Sequence, residues 1–320
     1  MSRESNAEFQ VLGLTRERAV LFAVMVAAVI VAPYFLYSIF LLRIYCFIIF
    51  ACAYNLLLGY TGLMSFGHAA FFGTGAYLCA QSAARWGLPF EMSVLVGTLS
   101  AAALGFVFGS IAIRRQGLYF AMITLALAQM MFFLAVQLPF TGSEDGIQSV
   151  PRGTLLGIVD LRSDTATYWV ISIILLLTFL LYNRVIHSPF GQVLRAIRNN
   201  ADRAKSLGYD VDRYKVIAFT ISAALSGFAA SLKTVITGIA TLNDISVQAT
   251  TDVVLITLVG GIGTIFGPVA GSVIILSLEH FLAAYGPWVP LIEGMVFIVF
   301  VLLFREGLVG TVQRWLKMRL

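Results

Sequence analysis

Apolar runs long enough to cross a bilayer recur along this chain, and they constrain its fold more than any other feature. A hydrocarbon core of about 30 Å requires around 20 apolar residues per helix. Runs of that order cover 19–36, 39–58, 92–113, 117–137, 167–186, 214–236 and 288–304. No water is available there to satisfy backbone N–H and C=O groups, so such runs read as helices. Composition agrees: 59% of the 320 residues are hydrophobic and 12% charged, against roughly 25% charged in soluble domains. The expected fold is all-α and polytopic.

Two stretches resist this simple reading. Residues 62–84 are apolar, yet "GYTGLMSFGHAAFFGTGAY" (59–77) holds five glycines and His68. Residues 251–283 as one helix would reach roughly 50 Å, too far for one crossing. That run contains "GGIGTIFGPVAG", where Gly263, Gly267 and Pro268 interrupt helical geometry. Two short spans, 251–265 and 268–283, fit better. Irregular backbone at membrane depth survives only inside protein or beside a water-filled cavity. Gly67 and His68 therefore read as one break lining a pathway, and Gly263, Gly267 and Pro268 as a second. Close packing, as in the stripe Gly73, Ala76 and Ala80, explains most of the glycines but not the imidazole. A faint echo, Phe-Gly-x-x-Ala, links "SFGHAAFFG" to "IFGPVAGS".

Lys and Arg counts orient the spans. Residues 184–215 hold seven of them, whereas 138–166 hold only Arg152 and Arg162 beside Glu144, Asp145, Asp160 and Asp164. The positive-inside rule puts the loop 187–213 in the cytoplasm and the loop 138–166 outside. Arg114 and Arg115 fall inside by the same alternation. A basic C-terminus, "QRWLKMRL", also belongs inside. About ten transmembrane helices result, some short or broken, with both termini cytoplasmic; eight is the fallback. Residues 1–18 form a cytoplasmic tail, 19–305 the transmembrane domain and 306–320 a second cytoplasmic tail. The first apolar run is span-length, so it reads as an uncleaved anchor.

Little in the chain suggests chemistry. Cys46, Cys52 and Cys79 lie in apolar segments with no metal or disulfide spacing. The nearest approach to a phosphate loop is "GFAASLKT" (227–234), where Leu232 replaces the second glycine. Three scattered histidines form no catalytic or zinc motif. Ionisable residues within spans are functional candidates by default. Here they are Arg43, His68, Lys233, Asp252, Glu279, His280 and Glu293. Most lie near predicted ends, where snorkelling suffices, and Asp252 falls at a plausible helix start.

Several stretches occur together in the order of one family: "YNLLLGYTGLMSFGHAAFFGTGAY", "GLYFAMITLALAQM", "FTGSEDGIQSVPRG", "HSPFGQVLRAIRNNADRAKSLGYDVDRYK" and "LVGGIGTIFGPVAGS". Over about residues 40–310 the chain resembles the membrane permease subunit of branched-chain amino-acid ABC importers of the leucine/isoleucine/valine type. The resemblance implies a transporter subunit of the bacterial cytoplasmic (inner) membrane, not an enzyme. It implies a second homologous permease, two cytoplasmic ATPases that carry ATP and Mg, and a periplasmic substrate-binding protein. No cofactor is implied in this chain.

Ser188 and Pro189 make a good helix start. Phe190, Val193, Leu194, Ile197, Ala201 and Ala204 then line one face, with Arg195, Arg198, Asp202 and Lys205 on the other. Such a helix lies on lipid or fits a partner's groove. The resemblance makes it the coupling helix, with Phe190, Leu194, Ile197 and Arg198 as ATPase contacts. Glu144 and Asp145 in the external loop are the expected binding-protein contacts. Two other readings stay open: an ABC permease for urea or amides, and a proton- or ion-coupled carrier. The carrier would need an intramembrane relay, for which His68 with Glu279 or Glu293 are the available groups.

Overall fold

The computed structural model describes residues 16–155, 157, 159–304 and 307–316. Most of the N-terminal tail and residues 305, 306 and 317–320 lie outside it. Helices occur in every segment expected to span: α1 (Arg16–Val31), α2 (Ser38–Asn55), α3 (His68–Ala84), α4 (Phe90–Ala112), α5 (Leu118–Gln137), α6 (Asp164–His187), α9 (Val211–Thr237), α10 (Val247–Gly260), α11 (Gly267–Leu282) and α12 (Val289–Leu303). The loop after α6 carries α7 (Pro189–Asn199) and α8 (Ala201–Ser206), and α13 (Gly307–Leu316) ends the described chain. Among the described residues, five helices are long and apolar enough to cross a membrane: α4, α5, α6, α9, and α2 with its π-helical extension to Thr61. The protein is thus an all-α, multi-pass membrane protein.

Helix α2 is the central post, buried almost along its whole length. It packs against α9, α6, α11 and α10. On the other side of α9, α3 and α4 approach so closely that side chains have no room. A Cβ on Gly75 would lie 2.5 Å from the Gly227 Cα, and one on Gly97 2.6 Å from the Gly75 carbonyl oxygen. Small residues permit such backbone approach between helices, where dispersion replaces the hydrophobic effect as the driving force. The packing stripe therefore runs through Gly75, Gly97 and Gly227.

Side-chain contacts give the helices their relative directions. Along α9, Ser222 meets His68 and Ala53, and Ser231 meets Gly75. Helix α3 thus runs parallel to α9, and α2, whose Cys46 lies near Lys233, runs antiparallel. The α10–α11 hairpin folds so that Gly260 meets Gly267 and Ile256 meets Gly271. One end of the bundle carries α7 and the turn 261–266. The opposite end carries the Arg43–Glu279 ion pair at 2.7 Å and the loop between α5 and α6. That loop is pinned down: Ile147 bridges Ala240, and Arg152 donates to the Ile236 carbonyl and pairs with Asp164.

Three boundaries differ from expectation. The second break covers 261–266, and Gly267-Pro268 opens α11 instead of interrupting it. Proline lacks an N–H, which is no loss in a helix's first turn, and its fixed φ suits that position. The segment expected at 62–84 becomes helical only at His68, after a stretch with Gly62 at φ +74°. The cytoplasmic helix expected through Ala204 divides at Asn200, whose extended backbone lets its side chain cap α8 by accepting from Arg203 N–H. Both copies of the Phe-Gly-x-x-Ala echo sit at equivalent places, opening a helix just after a break.

Candidate functional site

The turn 261–266 meets the end of α2 and its π-helical extension at the α7 end of the bundle, and two side chains hold them together. Asn55 is fully buried at the end of α2. Its Oδ1 accepts from Gly263 N–H at 2.8 Å, and its Nδ2 donates to the Thr264 carbonyl and the Tyr182 hydroxyl, each at 2.8 Å. One amide thus satisfies a donor and an acceptor of the turn 261–266 while reaching α6. Gly263 sits at φ +76°, a region where a Cβ would be strained. Sequence reasoning missed Asn55, although a lone amide in "FACAYNLLLG" must find partners within the protein; the partners themselves are 127, 208 and 209 residues away.

Arg198 of α7 supplies the second tie. Its Nη1 donates to the Gly59 carbonyl, one of the last carbonyls of the π-helical extension Leu56–Thr61. Such carbonyls lack an intrahelical partner and carry the negative end of the helix dipole, so a guanidinium suits them. The same Nη1 lies 3.0 Å from the Cβ position of Gly263. The Arg195 guanidinium sits 5.0 Å over the Tyr60 ring, a cation–π contact. Helix α7 therefore lies across the extension Leu56–Thr61 and the turn 261–266.

Two of the four residues expected at the ATPase, Leu194 and Ile197, are covered by the chain itself. They are buried, at 0% and 3% exposure, so they anchor α7 to its own bundle. Phe190 is partly buried and stacks on Tyr214, with ring centroids 5.7 Å apart. The outward surface of α7 consists of Gln192, Arg195, Ala196, Arg198 and Asn199. An amphipathic helix buries its apolar face against whatever is nearest, and here that is the transmembrane bundle. Glu144 and Asp145 are exposed in the opposite-end loop, within a single 3-10 turn.

The break at Gly67–His68 is enclosed, not open to a passage along the chain's surface. A Cβ on Gly67 would sit 2.8 Å from the Thr124 carbonyl oxygen, and His68 is fully buried. Ser222 donates to the Ala53 carbonyl at 2.6 Å, so His68 Nε2 carries the proton and donates to Ser222 Oγ at 2.8 Å. The freed backbone is capped by other groups. Thr124 accepts from Phe66 N–H, Ser65 from Gly67 N–H and Thr250 from Ala69 N–H. These hydroxyls escaped sequence reasoning because threonine and serine in helices usually bond their own preceding turn.

The intramembrane charges divide likewise. Lys233 pairs with Asp244 at 2.5 Å, both largely buried. Glu279 is engaged with Arg43 at the end away from α7, whereas His68 bonds Ser222, so these two groups form no relay. The side chain of Glu293 lies outside the described residues. Residues 227–234, the stretch nearest a phosphate loop, are helical within α9.

A profile described as "Branched-chain amino acid transport system / permease component" matches residues 36–304. The chain belongs to this family. Residues 36–304 include every helix from α2 to α12, both breaks and α7. Among relatives of this permease, the high-affinity branched-chain amino acid transport system permease protein LivM of Escherichia coli is 26% identical over 296 residues, covering 85% of this chain and 70% of the relative. LivM of Salmonella typhimurium is 27% identical with the same coverage. A probable LivM of Methanocaldococcus jannaschii is 33% identical over 64 residues, 20% of this chain and 19% of the relative. No solved structure matches the chain.

Proposed function

We propose that this permease forms half of a translocation pathway for branched-chain amino acids in a binding-protein-dependent ABC importer. The other half is a second homologous permease, two cytoplasmic ATPases bind ATP and Mg, and a periplasmic binding protein delivers the ligand. The observation that carries this reading is α7, held across the π-helical extension of α2 and the turn 261–266 by Arg198 and Arg195. A short helix on the bundle surface, anchored by its apolar face, moves these segments when it is moved. ATP-driven displacement of α7 is thereby delivered to irregular backbone that can rearrange, the usual substrate of gating in transporters with broken helices. Its tests are co-purification with an ATPase chain and leucine uptake that needs that ATPase and the binding protein. Uptake by this chain alone under a proton gradient overturns it in favour of a carrier.

The Arg198→Ala variant separates docking from transmission. A hydrogen bond to a charged group contributes about 1.5–3 kcal/mol, so uptake should fall by roughly tenfold or more, while ATPase co-purification persists. Loss of co-purification would make Arg198 a docking contact instead.

Ten crossings with both termini in the cytoplasm complete the proposal. Residues 19–305 form the permease domain, with 187–213 cytoplasmic and 138–166 periplasmic, in the inner membrane. The opposed ends of the bundle support this, since α7 and Glu144 lie at opposite ends. Single cysteines at Ser143 and Asn199 are expected to react with an impermeant thiol reagent from opposite sides. The native cysteines are buried and leave the background low. Reaction of both from one side would refute the topology.

A further inference from the structure

Helix α10 carries polar side chains on an outward face at the middle of the bundle. Its depth follows from neighbouring contacts. Thr250 accepts from Ala69 N–H at 2.9 Å, and the adjacent His68 bonds Ser222. Ser222 lies within α9 (Val211–Thr237), about 16 Å from one end and about 22 Å from the other at 1.5 Å per residue. Thr250 is therefore near the bilayer midplane, and Asp252 lies about half a turn further along.

The faces of α10 are sharply divided. Ala249, Thr250, Val253, Val254, Ile256 and Thr257 are buried, and α10 packs against α11, α2, α3, α12 and α13. Gln248 and Thr251 are exposed and Asp252 is partly exposed, with Gln248 Nε2 donating to Asp252 Oδ1 at 3.3 Å. Other outward faces of the chain are apolar, as at Leu95 and Leu99 of α4 and Ile173 and Leu177 of α6. Those suit lipid; an amide, a hydroxyl and a carboxylate do not. Carboxylates within membranes face a bundle interior or a water-filled cavity. Asp252 lies in the second turn of α10, not at its start as the sequence suggested, so the helix dipole does not account for it.

We propose that the Gln248–Thr251–Asp252 face lines the aqueous passage, and that the Asp252 carboxylate receives the ammonium group of the amino acid passing through. This rests on the reading of the chain as an amino-acid permease. A zwitterion leaving water needs an opposite charge for its ammonium group, and Asp252 supplies one at the depth where hydration is lowest. Further along the same helix the partly buried Leu255 and Leu258 continue toward the turn 261–266. They give the passage an apolar continuation below the polar patch, suited to an aliphatic side chain.

The test uses the assembled importer in proteoliposomes, with Thr251→Cys as reporter. It is treated with a cationic and an anionic methanethiosulfonate reagent. Both should react, and a carboxylate at the passage wall should favour the cationic one by about tenfold through local field focusing. Asp252→Asn on the same background should abolish that preference. Excess leucine should slow the cationic reagent, whereas 4-methylpentanoate, its analogue without the ammonium group, should not. If Thr251→Cys stays unreactive while a cysteine at Asn199 reacts, α10 faces lipid or a sealed subunit contact, and the proposal fails. A charge preference unchanged by Asp252→Asn removes Asp252 from the passage. Equal protection by both compounds, in a complex that takes up leucine, removes the ammonium assignment. A complex that takes up no leucine overturns the amino-acid reading itself, while the reagent preference still reports on the passage.

Discussion

Replacing Asn55 by leucine is expected to leave little folded protein in the membrane. Leucine has a similar size, so the loss is purely of polar partners. Gly263 N–H, the Thr264 carbonyl and the Tyr182 hydroxyl all lose the amide that now satisfies them. Each group left unpaired costs about 1–3 kcal/mol where water does not replace its partner, and the Tyr182 hydroxyl is buried. Three such groups sum to about 3–9 kcal/mol, comparable with a whole domain's margin of about 5–15 kcal/mol. The measurement is thermal unfolding in detergent, with accumulation in the membrane as a second readout. A drop of less than about 3 °C, under about 1 kcal/mol, would mean that the turn 261–266 is held by other contacts.

The second large effect is expected at Lys233. Its ammonium pairs with Asp244, and the two side chains are 14% and 7% exposed. Asp244 also accepts from Thr241 N–H through Oδ2 at 3.1 Å, which shapes the turn that leads into α10. Lys233→Met leaves a buried carboxylate without its counter-ion, a change that costs about 3–5 kcal/mol. Adding Asp244→Asn removes the stranded charge and keeps an acceptor for Thr241, so the double variant should recover most of the stability. The double-mutant cycle in thermal unfolding is decisive. Additive losses would show that the pair is not coupled.

The membrane class and the places of the helices were legible in the sequence because both depend on local composition. An apolar run near 20 residues has few options in lipid, and α4, α5, α6 and α9 lie within a few residues of the runs read for them. Ser188-Pro189 likewise marks the start of α7, since capping uses residues adjacent in the chain. The family was legible too, through five short stretches in order, and its profile covers the same range.

Only the tertiary structure decided what the polar residues do. Asn55 bonds Gly263, Arg198 bonds Gly59 and His68 bonds Ser222, each pair separated by more than a hundred residues. Periodicity names a face of a helix but not what covers it. The aliphatic face of α7 was therefore legible, whereas its burial against the chain's own bundle was not. The same holds for α10, where Asp252 is read from sequence as a charge near a helix start. Its place at mid-depth on an outward face follows from Thr250 capping α3. Local chemistry sets where a helix begins and ends; the pairing of groups distant in sequence sets which of them meet a partner, a lipid or a passing solute.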